Sequence, residues 1–158
     1  PVVLALPILV LYRELSLLDT HIGMILLYTL TVLPIVIWIM RDQFNAVPIE
    51  LEEAALVDGA SVWVSFLRVV FPIVLPGIVS AFLLCLILCW NEYFLAALIT
   101  STDAKTMPVM VASQISSQSI RWWTMAAVSF ALCFPLILVA IFLERYIVKG
   151  MAAGAIKG

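Results

Sequence analysis

Three stretches of this chain run uncharged for long enough to cross a lipid bilayer, and nothing else in the sequence restricts the fold as much. They are Ile22 to Met40, Val69 to Asn91 and Trp122 to Leu143. A membrane helix needs about 20 apolar residues to cross a hydrocarbon core about 30 Å thick. In lipid the backbone must satisfy its own hydrogen bonds, and a helix does so within one segment. The expected fold class is therefore all-α: a polytopic membrane helical bundle with three full transmembrane helices. Pro1 to Leu11 is also apolar and reads as part of a fourth. It has neither a charged n-region nor a cleavage site, so it is not a signal peptide. We expect the chain to be the C-terminal portion of a longer protein, with residues 1–158 forming one transmembrane domain. Composition agrees, at 65% hydrophobic and 11% charged, where a soluble domain carries roughly a quarter charged residues.

The middle run is too long for one straight crossing. From Val69 to Thr102 only Glu92 is charged, and as helix that stretch would measure roughly 50 Å at about 1.5 Å per residue. Part of it must tilt, break or lie outside the core. Pro72 and Pro76 predict a bend at its start. Pro34 and Pro135 lie mid-span and predict kinks that neighbouring helices tolerate.

Basic residues in short loops set orientation. Arg13, Lys105 and Arg121 fall on one side, and Arg41, Arg68, Arg145, Lys149 and Lys157 on the other. The bias places the loop 46–70 and the C-terminus in the cytoplasm. Trp122 and Trp123 then fit an interfacial belt on the outer side.

That cytoplasmic loop holds the most polar block of the chain, with Glu50, Glu52, Glu53 and Asp58 against a single base, Arg68. Pro48 suits a first helical position, where its missing N–H is not needed. Acids in the first turn complement the helix dipole. Gly59 reads as a helix stop, Ser61 as the cap of a second short helix to about Val70, and Pro72 as the end of that helix. The expected product is a helix–turn–helix elbow joined directly to a span, so that a push on the elbow is a push on the span. Ala54 and Ala55 would let another surface approach closely. An amphipathic segment resting on the bilayer is the alternative, although anionic headgroups attract Lys and Arg rather than Glu.

Glu53-Ala54-Ala55, three residues, Gly59, nine more, then Val69-x-Phe71-Pro72 resembles the EAA loop of ABC importer permeases, whose pattern is E-A-A-x3-G-x9-I-x-L-P. Val69 and Phe71 replace Ile and Leu, apolar for apolar. "EEAALVDGAS", "WNEYFLAALIT" (Trp90–Thr100) and "ERYIVKGMAAGAIKG" (Glu144–Gly158) resemble the carbohydrate-uptake branch, the maltose-type permeases. The resemblance implies a permease of about six spans, of which this chain would hold the last three and part of a fourth. It implies that the loop docks on an ABC ATPase subunit through Glu53, Ala54, Ala55, Asp58, Gly59 and Pro72. It also implies that the partner uses the ATP, that a second permease subunit completes the pore, and that an extracytoplasmic substrate-binding protein delivers a sugar or polyol. The location would be the bacterial inner membrane.

Glu92 is the remaining sharp residue, because an ionisable group within a span is a functional candidate by default. With Asn91 it reads either as lining the translocation pathway or its outer gate, or as pairing with another subunit or reaching the interface. Trp90 and Tyr93 would stack on a sugar face or belong to an aromatic belt. Gln114, Gln118 and Arg121 form an outer loop that either meets a binding protein or is simply solvated. His21 has no second ligand nearby and reads as a capping or interfacial residue.

Several classes are excluded. The net charge of −2 offers no basic surface for nucleic acid. Cys85, Cys89 and Cys133 lie in apolar runs and behave as small hydrophobes, without disulfide or metal spacing. No P-loop appears, so the chain is not expected to hydrolyse ATP itself or to hold a cofactor of its own. No serine elbow or zinc-protease motif points to an enzyme. The competing class is an ATP-independent secondary transporter or channel half, which requires coupling charges deep in the spans, where only Glu92 is available.

Overall fold

A computed structural model of the chain describes residues 2–115 and 121–155. The apolar runs become helices: α1 (Val2–Glu14), α2 (His21–Asn45), α3 (Ile49–Val57), α4 (Val62–Trp90), α5 (Phe94–Ile99), α6 (Met107–Ala112) and α7 (Trp122–Ala155). No β-strand occurs among the described residues. Three helices are long and apolar enough to cross a membrane: α2, α4 and the Trp122–Leu143 part of α7. The chain is thus a multi-pass helical membrane protein. No residue of the Trp122–Leu143 window of α7 is fully buried within the chain. Gln118 and Lys157 lie outside the described residues, and the terminal motif from Glu144 is described as helix backbone to Ala155.

The long middle run does break. Helix α4 ends at Trp90, three residues turn, and α5 restarts at Phe94. The other expectation for this run needs correction. Pro72 does not end a short elbow helix, because the helix passes through it from Val62 to Trp90. What the proline requires is met just upstream, where Phe66–Val70 is π-helical. The Phe71 N–H reaches back to the Phe66 carbonyl, one residue further than in an α-helix. A wider turn relieves the clash a proline ring makes with the carbonyl four residues earlier.

By contacts the chain divides into two units, Pro1–Val32 with Leu86–Leu138 and Leu33–Cys85 with Val139–Gly158. The first has its core in Tyr12, Met24, Leu27, Leu95, Ala96 and Ile99, joined by Ala104 and Val109. Helix α5 packs on α1. The Tyr12 hydroxyl donates to the Gly23 carbonyl at 3.0 Å. Gly23 is required by space, since a Cβ there would strike the Leu17 carbonyl. Thr20 closes the start of α2, donating to Leu17 O at 2.8 Å and accepting from the Gly23 N–H at 3.0 Å.

In the second unit α3 packs on the start of α4 and on its π turn. Phe66 is the hub, with ring centroids 6.4 Å from Phe44 and 6.5 Å from both Trp63 and Phe71. Gly77 is buried, and the Gln43 side chain occupies the place where a Cβ would stand. Val74 and Ala81 are buried beside it in the chain.

Candidate functional site

The elbow forms as its residues require. Pro48 sits one place earlier than expected, as the extended residue before α3, and Glu50 and Glu52 occupy the first turn. The far end of α3 is closed entirely by backbone. The Asp58 N–H donates to Ala54 O at 3.0 Å, Gly59 N–H to Leu56 O at 3.0 Å and Ala60 N–H to Ala55 O at 3.0 Å. This is the Schellman arrangement, which satisfies the last carbonyls when the following residue turns left-handed. Gly59 supplies that conformation with φ of +85°. A Cβ on Gly59 would meet open space, so glycine is needed for its backbone freedom and not for room. Ser61 caps α4, its hydroxyl accepting from the Val64 N–H at 3.4 Å.

The backbone therefore closes α3 without drawing on the helix's own acidic side chains. Helix α3 has no buried residue. Glu53, Ala54, Asp58 and Gly59 are exposed, and Ala55 is half-buried. The carboxylates of Glu53 and Asp58 engage no other described residue. Apolar side chains stand out beside them, with Val57 87% and Trp63 75% exposed. Water is a poor environment for such a surface, and one this mixed suits a protein partner. The sequence reading had passed over Val57 and Trp63, although two large apolar residues flanking the acidic turn were a readable signal. Pro72 is exposed on the span that continues from the elbow.

The Trp90–Tyr93 stretch is organised differently. The Trp90 indole N–H donates to Leu132 O at 3.0 Å, and the Asn91 amide donates to Ile87 O at 2.8 Å. Glu92 accepts from the Leu95 N–H at 2.8 Å and the Ala96 N–H at 2.9 Å. Its carboxylate thus satisfies the first free amides of α5, where the helix dipole favours negative charge. Asn91 and Tyr93 line a cavity of about 370 Å³ together with Pro108, Met125, Ser129 and Cys133. A second cavity, of about 290 Å³, is bounded by Tyr28, Cys89, Trp90 and the segment Lys105–Pro108. His21 is the first residue of α2, Gln114 is half-buried, and Arg121 is exposed.

Asp19 escaped the sequence reading altogether. Its carboxylate accepts the Ser101 N–H at 2.9 Å and hydroxyl at 2.6 Å, and the Thr102 N–H and hydroxyl, both at 2.9 Å. The amides of Asp103 and Ala104 follow, each at 3.1 Å. These hydrogen bonds, the Ser101 hydroxyl foremost, hold the carboxyl far below the usual carboxylate range. The Asp19 N–H in turn donates to Ile99 O at 2.8 Å.

Residues 1–153 match the family described as "Binding-protein-dependent transport system inner membrane component". The chain is similar to the trehalose transport system permease protein SugB of Mycobacterium tuberculosis, 35% identical over 98% of this chain and 58% of that protein. It is similar to the trehalose/maltose transport system permease protein MalG of Thermococcus litoralis, 34% identical over 92% of this chain and 53% of the relative. It also resembles the diacetylchitobiose uptake system permease protein DasC of Streptomyces coelicolor, 32% identical over 99% of this chain and 57% of the relative. The chain spans little more than half the length of these curated relatives.

Proposed function

The chain belongs to the binding-protein-dependent transport system inner membrane component family, and from that premise we propose that it is the permease subunit of an ATP-driven ABC importer for a sugar or polyol. Relatives whose names specify trehalose, maltose and diacetylchitobiose support the substrate class. The chain performs no bond chemistry. An ABC ATPase partner hydrolyses ATP, a second permease completes the pore, and an extracytoplasmic binding protein hands over the ligand. The protein lies in the bacterial inner membrane with the elbow and the C-terminus in the cytoplasm.

The observation that carries this reading is the elbow: a helix end closed by its own backbone, with Glu53, Ala54, Ala55, Asp58 and Gly59 left for another molecule. Glu53 and Asp58 offer acids to the ATPase, and Ala54, Ala55 and Gly59 permit close approach. Helix α4 continues unbroken from the elbow through Pro72 to Trp90, so motion received there passes into a span. On the pathway side, Trp90, Asn91, Glu92 and Tyr93 are the candidates. The free surfaces of Asn91 and Tyr93 would face the ligand, while the Glu92 carboxylate holds α5 in place.

The test uses the full-length subunit in membranes with its cognate ATPase. Glu53→Lys and Gly59→Pro are each expected to abolish ATPase co-purification and ATP-driven sugar uptake while the permease still inserts. Docking and uptake at wild-type levels in both variants would remove the coupling role of the elbow.

A further inference from the structure

Four consecutive residues, Ser101 to Ala104, direct every backbone amide they have at one carboxylate. Two of their hydroxyls join in, at 2.6 and 2.9 Å. Successive amides turned to one point form a concave nest that binds anions. The anion here comes from a residue 82 to 85 positions away in sequence. Reaching it puts Asp19 itself in the left-handed region with φ of 54°, and Ser16 of the same turn has φ of 55°. Each is an uncommon conformation for a residue with a side chain. Such strain persists only where surrounding contacts impose it. Immediately after the nest, Lys105 to Pro108 form one wall of the cavity that Tyr28, Cys89 and Trp90 complete.

We propose that Ser101–Ala104 is an oxyanion-binding nest, and that its resident carboxylate, Asp19, is a positioning residue that latches the α1–α2 turn to the Lys105–Pro108 wall of the cavity. The nest takes a small carboxylate or similar oxyanion. What it requires is negative charge with several acceptor lone pairs, and not the bulk of a side chain. An amide in place of the carboxylate keeps one acceptor oxygen but turns two N–H donors towards the ring of donors, so it satisfies only part of it. The site is partly open to solvent, so a small anion from the medium can enter it once Asp19 is truncated. The consequence for transport rests on the permease reading; the nest itself does not.

The experiment compares the full-length subunit, purified with its partner ATPase and second permease and supplied with the cognate binding protein, as wild type, Asp19→Ala and Asp19→Asn, with sodium formate, sodium acetate or sodium chloride at matched ionic strength. The readouts are amide hydrogen exchange at Ser101–Ala104, thermal melting, and ATP-driven uptake of trehalose and maltose in proteoliposomes. Wild type is expected to show slow exchange at all four amides at neutral pH. In Asp19→Ala that protection should fall at least tenfold and return with formate, accompanied by a rise in melting temperature that chloride does not reproduce. Asp19→Asn should lose part of that protection, without rescue by any of the three anions. Uptake should follow protection, lost in Asp19→Ala and partly restored by formate.

Unprotected amides in the wild type would overturn the nest, and that measurement stands even if Asp19→Ala fails to fold. Equal protection in wild type and Asp19→Asn would overturn it as well, as would a folded Asp19→Ala that no carboxylate restores. Formate-dependent protection without sugar uptake by the wild type would uphold the nest and refute the sugar-import reading. Uptake unchanged in a deprotected Asp19→Ala would refute the positioning role.

Discussion

The elbow and the turn around Asp19 are both short polar connections between apolar helices, yet they spend their polar groups in opposite ways. At the elbow the backbone satisfies itself through the Ala54, Ala55 and Leu56 carbonyls, and among the described residues the acidic side chains of Glu53 and Asp58 have no partner. At Asp19 a side chain satisfies the backbone, and six donors consume one carboxylate. A carboxylate already surrounded by donors has no acceptor capacity left for a partner. Charge alone therefore does not distinguish an interaction site from an anchor; the fate of the lone pairs does. By this criterion Glu92, which accepts two backbone amides, lies between the two cases, and Glu53 and Asp58 lie at the opposite end from Asp19.

The largest expected effect tests whether the region of the anchors is rigid. Gly23→Ala sets a methyl against the Leu17 carbonyl, and overpacking against backbone costs about 1–3 kcal/mol. Its melting temperature should drop clearly below that of wild type while ATPase docking is retained; an unchanged melt would mean that the α1–α2 turn yields freely.

The second effect is a pH dependence. Because the folded Asp19 carboxyl titrates below its unfolded value, its contribution to stability is complete above about pH 4. It is lost as the pH falls further towards the folded pKa. Acid melting curves of wild type and Asp19→Asn should thus converge below about pH 4 and separate above it. Parallel curves throughout would show that the carboxylate is not bound as described.

A third and smaller effect concerns the elbow. Gly59→Ala meets no atom but is held at a positive φ, at a cost of about 1–2 kcal/mol. Since α3 has no buried residues, this should weaken ATPase docking more than the global melt. A shift in melting as large as that of Gly23→Ala would erase the contrast between the two regions.

The smallest effect is that of Ser61→Ala, which removes a 3.4 Å cap on an exposed turn. Caps are typically worth about 0.5–2 kcal/mol, and a bond this long and exposed belongs at the low end. Circular dichroism of the purified subunit should show no measurable loss of helix.

What could be read in advance divides along the same line. Apolar runs, the Gly59 stop and the Ser61 cap are local facts, each settled within a few residues, and all were legible. Length alone required the long middle run to tilt, break or leave the core, and did not place the break after Trp90. The path of the chain through Pro72 was not legible, because the expected cost of the proline assumed an α-helical turn before it, and a π turn removes that assumption. Glu92 was legible as an unusual charge but not as a helix-end partner, although the short apolar run from Phe94 to Ile99 beginning two residues later was the available signal. Asp19 was beyond reach, since its partners lie more than eighty positions away and none carries a distinctive motif.

The π turn at Phe66–Val70 also bears on how this gene can change. A π turn holds one residue more than the α-helical path would, and each residue of an α-helix advances the face by roughly 100° at 3.6 residues per turn. The elbow and the span after it are therefore set in two different rotational frames, with the offset stored in five residues. A single-codon deletion there would shorten the spacing between Gly59 and Pro72 and present a different side of the elbow to whatever binds it. Substitutions tune such a contact by degrees; at this point of the chain, a change in length re-aims it in one step.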